Sequence, residues 1–279
     1  MATRLIFLGL VLSSLSWAAE IERLMLFGGN GYPANSIPLF CKWAVKEKEQ
    51  EKEKEKSHLL LIHWASGNPE KNNYYVSPFK GCIDSIETAA DETTVGEHLE
   101  ELKEQIEWAT AIFFTGGNQN RIMDILEKYP QLANQMRERY KKGVLFGGTS
   151  AGTAIMSSTM ITGEGTFTKE GDYDLFDELD PAAVETKPGL GLLSLAVVDQ
   201  HFFKKVRANR LLSTLLKGND KMGIGIDEGA AISIEGNRAL EVLGGIAIAF
   251  YYEKTPKDGS YRVLEPGDRF DLIDKTRLP

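Results

Sequence analysis

Cysteine, histidine and surplus positive charge are all scarce in this chain, and each shortage removes a class of function. The two cysteines among 279 residues, Cys41 and Cys82, are too few and too far apart for a thiolate zinc site or a disulfide scaffold. A single disulfide formed after export and two free thiols both fit the sequence. Lysine and arginine total 32 against 40 acidic residues, a net charge of −8. That balance excludes non-specific nucleic-acid binding as the main activity, because such binding needs cations facing phosphates. Beyond the N-terminus no apolar run approaches the ~20 residues of a membrane-spanning helix. Neither a metal nor an organic cofactor is called for. What remains is an ordinary globular composition, 42% hydrophobic and 26% charged, enough to enclose a substantial core.

The first residues read as a targeting signal. Arg4 precedes the apolar run Leu5 to Leu12, and Ser16-Trp17-Ala18 fits a small-x-small cleavage site. The pattern predicts a signal peptide over residues 1–18 and a single domain over residues 19–279. The mature protein is then secreted or periplasmic, with no membrane attachment after removal of the signal.

Apolar runs alternate with helical segments along the rest of the chain. Arg23–Phe27, His58–His63, Ala111–Phe114 and Gly143–Phe146 read as buried strands; residues 35–45, Val95–Ala109, and stretches from Arg121, Gln131 and Gly152 read as helices. Lys46 to Lys56, with its alternating Lys and Glu, reads as a solvated extension. After Leu195 come a strand, a basic helix over Lys204–Leu216 and a strand at Gly223–Ile226, followed by antiparallel hairpins up to Tyr252. The order predicts an α/β fold: a mainly parallel sheet flanked by helices, with antiparallel C-terminal hairpins at its edge. Ligands in such sheets bind at the carboxyl ends of the strands. The glycine turns at residues 28–31, 116–117 and 147–152 all fall there.

Gly148-Thr149-Ser150-Ala151-Gly152 is a G-x-S-x-G sequence between a strand and a helix. That context exposes the serine oxygen on a sharp turn and points the next backbone N–H at a developing oxyanion. Ser150 is therefore the candidate nucleophile, with backbone N–H groups at Gly117 and Ala151 as oxyanion donors. Among four histidines, His201 is the only one after Ser150 and follows a strand end, which makes it the candidate base, with His63 as runner-up. A third group, a carboxylate, would hold the imidazole. Glu164 is the first choice, because a helix from Gly152 to Met160 and a short return bring it back to the sheet edge; Glu170, Asp172 and Asp174 stay open. Lys204, Lys205, Arg207 and Arg210 form a basic cluster next to His201, suited to substrate carboxylates. Asp227-Glu228, at another strand end, would complement a cationic group.

These motifs together resemble the cyanophycinase family, serine peptidases related to the aspartyl dipeptidases. The likeness is carried by Phe113–Gln119, Gly148–Gly152 with Ala154-Ile155-Met156, Gly189–Leu193, Val198–Phe202, Arg207 with Arg210-Leu211-Leu212, and Gly223–Glu228. The resemblance implies a glutamine-amidotransferase-like α/β fold, with Ser150 as nucleophile and His201 as base. It also implies a substrate pocket lined by Gln119, Asp199, Gln200, Arg207 and Arg210. The substrate it implies is cyanophycin, a poly-aspartate backbone bearing arginine, cut to β-Asp-Arg dipeptides without metal or cofactor. Two positions depart from the family pattern: Asn118 stands in place of Asp, and Lys205 in place of a further Arg. The leading reading is an exported serine exopeptidase acting on aspartyl- and arginyl-rich peptides. The alternatives are a catalytically inactive aspartyl-peptide-binding homologue, an α-aspartyl dipeptidase, and an α/β-hydrolase esterase disfavoured by the lack of a late histidine. The sequence leaves the oligomeric state open, a homodimer included.

Overall fold

The computed structural model describes residues 20–45, 56–66, 72–165, 179–255 and 258–279. The expected signal peptide, nearly all of the Lys/Glu run, the loop residues Gly67 to Pro69 and the carboxylates Glu170, Asp172 and Asp174 lie outside the described residues. The first half of the chain runs β1 (Arg23–Phe27), α1 (Ser36–Ala44), β2 (His58–Ile62), α2 (Asn72–Val76), β3 (Ser85–Thr88), α3 (Leu99–Trp108), β4 (Ala111–Phe114), α4 (Gln119–Lys128), α5 (Pro130–Lys141), β5 (Leu145–Thr149) and α6 (Ala151–Ala154). The second half adds β6 (Thr159–Gly165), β7 (Val184–Pro188), β8 (Val197–Gln200), α7 (Ala208–Leu216), β9 (Met222–Ile226), β10 (Ala231–Glu235), β11 (Ala239–Gly244), β12 (Ala247–Tyr251), β13 (Ser260–Leu264), β14 (Arg269–Asp271) and β15 (Thr276–Leu278).

The central strands β1, β2 and β4 are almost wholly apolar because both faces of the sheet are covered there. In β1, Leu24 and Leu26 pack on one side with α3, α4 and α5, through Leu102, Ile106, Ile122 and Met136. Met25 and Phe27 pack on the other with Phe40, Cys41 and Ala44 of α1. That is the two-residue period of a pleated strand. Cys41 and Cys82 are joined by a disulfide, their Cα atoms 5.7 Å apart.

The main sheet has nine strands in the order β15-β14-β11-β10-β1-β5-β4-β2-β3. The block from β1 to β3 is parallel, and β10, β11, β14 and β15 extend it antiparallel. The mixed α/β architecture expected from the alternation is present. Two features differ from expectation. Strands β8 and β9 join β12 and β13 in a separate four-stranded sheet, backed by α7. The helix expected from Gly152 to Met160 is a single turn, followed by strand β6. The carbonyls that would have carried it onward are taken by another segment: Ile155 O accepts from Leu190 N–H, Met156 O from Leu193 N–H and Ser157 O from Gly191 N–H. The β-branched run Thr159, Ile161 and Thr162 then favours the strand.

Candidate active site

The parallel strands β1 and β5 end side by side, and Ser150 follows β5 directly. Its backbone sits at φ 53°, ψ −113°, a conformation seldom adopted by a residue with a side chain. The surrounding residues hold it there. Ser150 N–H donates to Phe27 O at 3.1 Å, and Ser150 O accepts from Ala154 N–H at 3.0 Å. Beneath the turn, Thr153 Oγ1 accepts from Phe27 N–H at 3.1 Å and lies 2.6 Å from Gly148 O. The flanking glycines are required by close approach. A Cβ on Gly148 would stand 2.3 Å from Gly152 O, and one on Gly152 would stand 2.2 Å from Phe114 O. The strand-turn-helix elbow expected from the sequence is thus built by its own backbone.

His201 arrives from the second sheet, at the end of β8. Its N–H donates to Gly28 O at 2.9 Å, which ties the two sheets together at this point. Its ring lies flat against the glycine at position 29, where a Cβ would come within 2.3 Å of Cε1. The Nε2 atom is 2.8 Å from Ser150 Oγ, and Nδ1 is 2.6 Å from Glu228 Oε1. The other Glu228 oxygen accepts from Asn30 Nδ2 at 3.0 Å. Asp227, its neighbour, accepts from Phe203 N–H at 3.0 Å and Lys204 N–H at 2.9 Å, fixing the turn after His201.

These contacts set the protonation states. Burial holds the His201 imidazole below its ordinary value, outweighing the opposing hydrogen bond to Glu228. The hydrogen bond from His201 holds the Glu228 carboxyl low, and Asn30 adds to the effect. An ionised Glu228 facing Nδ1 selects the tautomer with its proton on Nδ1, leaving Nε2 to accept from the Ser150 hydroxyl. Among the described residues, no cluster of three or more His, Cys, Asp or Glu side chains is arranged to hold a metal ion.

A match to the model of peptidase family S51 spans residues 46–242, which include the serine elbow, His201 and Glu228. The chain belongs to peptidase family S51. It is 38% identical over 143 residues to a cyanophycinase of Geminocystis herdmanii, covering 51% of this chain and 49% of that protein. It is 32% identical over 196 residues to a cyanophycinase of a Nostoc species, covering 64% of this chain and 62% of that one. The chain therefore spans about half to three-fifths of the length of the curated relatives it matches. The fold is that of a peptidase from an acI-B1 actinobacterium, with a TM-score of 0.65 at 20% identity over 91% of this chain and 98% of that one. A putative peptidase E from Listeria monocytogenes aligns with a TM-score of 0.51 at 19% identity, over 80% and 98% of the two chains.

Within this S51 chain, Ser150, His201 and Glu228 border an open cleft of roughly 410 Å³, together with Tyr32, Tyr74, Tyr75, Gly116, Gly117 and Lys205. Glu164, expected beside the imidazole, is elsewhere. Because β6 replaces the helix, its Oε1 meets Asn120 Nδ2 at 2.9 Å, and Glu228 takes the place next to Nδ1. The runner-up base His63 is buried at the end of β2, with Nε2 3.9 Å from Asp91 Oδ2. None of the five residues expected to line the substrate pocket is among those bordering this cleft. Gln119 spends its amide hydrogens on Ile161 O and Thr162 O, at 2.9 and 2.8 Å, and so anchors β6. Arg210 forks onto the buried Asp199 carboxylate through Nε and Nη2. Arg207 Nη1 donates to Gln200 O and Oε1, both at 2.7 Å. These four pocket candidates near His201 form one network, with Asp199, Gln200 and Arg210 buried and Arg207 partly exposed. Of the basic cluster, Lys205 is the member that borders the cleft.

Glu228, Asn30 and Tyr75 border the cleft without having been expected beside Ser150 and His201. Glu228 carried a usable signal, an acidic residue just past a buried strand and downstream of both serine and histidine. Asn30 and Tyr75 carried none, since their roles depend on how separate loops meet.

Proposed function

We propose that this chain is a serine exopeptidase that hydrolyses aspartyl- and arginyl-rich peptides, cyanophycin or β-Asp-Arg material among them, with Ser150, His201 and Glu228 as its catalytic triad. The observation that carries the reading is the unbroken hydrogen-bonded series Ser150–His201–Glu228 starting from a strained elbow. Ser150 Oγ attacks the scissile carbonyl carbon while His201 Nε2 takes its proton, and Glu228 stabilises the imidazolium that results. The Gly117 and Ala151 N–H groups receive the oxyanion; Ala151 opens α6, so its N–H has no acceptor within the helix. His201 then gives its proton to the departing amine, and water repeats the sequence on the acyl-enzyme. Lys205, at the cleft, supplies positive charge for a substrate carboxylate. An intact triad favours turnover over a binding-only role.

Incubation with insoluble cyanophycin and a panel of α- and β-aspartyl dipeptides tests the substrate class. Release of Asp-Arg supports the reading, cleavage of α-linked dipeptides alone makes the chain an α-aspartyl dipeptidase, and no cleavage of any of them overturns it.

Because His201 must be neutral to accept the serine proton, kcat/KM should fall on acidification as the imidazole charges. Burial lowers that titration, so the midpoint is expected below the ordinary histidine value of 6.5. A midpoint at or above that value in the pH profile would contradict a buried His201 base.

Export is part of the proposal. The Cys41–Cys82 disulfide suits an oxidising compartment. N-terminal sequencing of the exported protein checks it, and Ala19 should be the first residue found.

A further inference from the structure

Tyr75 stands on α2, half-buried, with its ring edge-to-face against Tyr74 at 5.2 Å. Its hydroxyl reaches the serine elbow. A Cβ built on Gly116 would stand 3.3 Å from Ser150 Cβ and 3.3 Å from Tyr75 Oη. The phenol oxygen and the serine side chain therefore flank the same stretch of glycine backbone. Burial raises the Tyr75 phenol above its ordinary value, outweighing the opposing effect of the Gly116 backbone N–H, so the phenol stays protonated at neutral pH. A phenol that accepts from a backbone N–H still has its own proton to give. An apolar wall would need the ring alone; it would not need a hydroxyl on Gly116.

We propose that Tyr75 is a catalytic residue whose hydroxyl donates a third hydrogen bond to the oxyanion formed at Ser150. The proposal rests on Ser150 being the nucleophile. As the Ser150 Oγ–carbon bond forms, the carbonyl π pair moves onto oxygen. That oxygen lies on the glycine side of the elbow, beside the Gly117 N–H, where Tyr75 O–H meets it. Tyr75 keeps its proton throughout; the proton lost by Ser150 goes to His201 and then to the leaving amine. Donors of this kind act where charge develops, so the effect falls on the transition state rather than on substrate binding.

A fluorophosphonate probe reports this step without a known substrate. Ser150 Oγ attacks phosphorus, fluoride departs, and the phosphoryl oxygen occupies the oxyanion position. Tyr75→Phe removes only the hydroxyl. It is expected to react about ten- to a hundredfold more slowly, with the melting temperature unchanged and, on a cleaved peptide, kcat lowered and KM retained. A Tyr75→Phe protein that reacts as fast as wild type, or faster, overturns the role of Tyr75. A rise in KM at constant kcat also overturns it, because that marks a substrate-packing residue. Failure of the wild-type protein to label at Ser150 would instead overturn the nucleophile itself, and this role with it.

Discussion

Replacing Glu228 by Gln is expected to lower kcat about ten-thousandfold, whereas Glu164→Gln should stay within about twofold of wild type. Glu228 accepts from His201 Nδ1 at 2.6 Å and is held in place by Asn30. An amide at that position can offer its own N–H, which stabilises the imidazole tautomer that has no lone pair facing Ser150. It also removes the negative charge that would balance the imidazolium in the transition state. Glu164 has no such position, since its contact is with Asn120. Steady-state kinetics on one aspartyl peptide, with both variants beside wild type, checks the assignment. A large loss in Glu164→Gln with little in Glu228→Gln would return the sequence expectation to favour.

Arg210→Ala is expected to destabilise the fold by about 3–5 kcal/mol, lowering the melting temperature by roughly 10 °C. Arg210 is 7% exposed and the Asp199 it grips is 1% exposed, so truncation strands a buried carboxylate. Arg210→Lys keeps the charge but not the planar two-bond fork, and should fall between wild type and Ala. A free substrate-binding arginine would behave differently, with rate lost and melting temperature kept. Thermal denaturation of both variants decides between the two. Removing Asp199 and Arg210 together should cost less than the sum of the single changes, because neither charge is then left unpaired.

Much of the fold was legible because its signals are local. The apolar strands, the glycine turns after them and the amphipathic helices are each written in a few consecutive residues, and the elbow around Ser150 needs glycines that the sequence displays. The expectation for His201 rested on scarcity, as the lone histidine after Ser150, and the structure puts its ring 2.8 Å from Ser150 Oγ. What escaped was set by long-range competition. Nothing in Gly152–Met160 announces that Leu190, Gly191 and Leu193 will take its carbonyls, and Glu164 was misplaced as a result. Arg210 is similar: composition showed a cationic cluster, but only the seating of α7 against the second sheet reveals that Asp199 already fills its fork. Two sheets meeting at Gly28 and His201 put Glu228 beside the imidazole, a contact no single segment encodes.

The most direct test is hydrolysis of β-Asp-Arg polymer by the wild-type protein and by Ser150→Ala at equal concentration, with release of Asp-Arg followed by mass spectrometry. Wild type should release the dipeptide, and Ser150→Ala should fall by about a millionfold toward the uncatalysed rate while still binding the polymer. Undiminished release by Ser150→Ala would contradict the account.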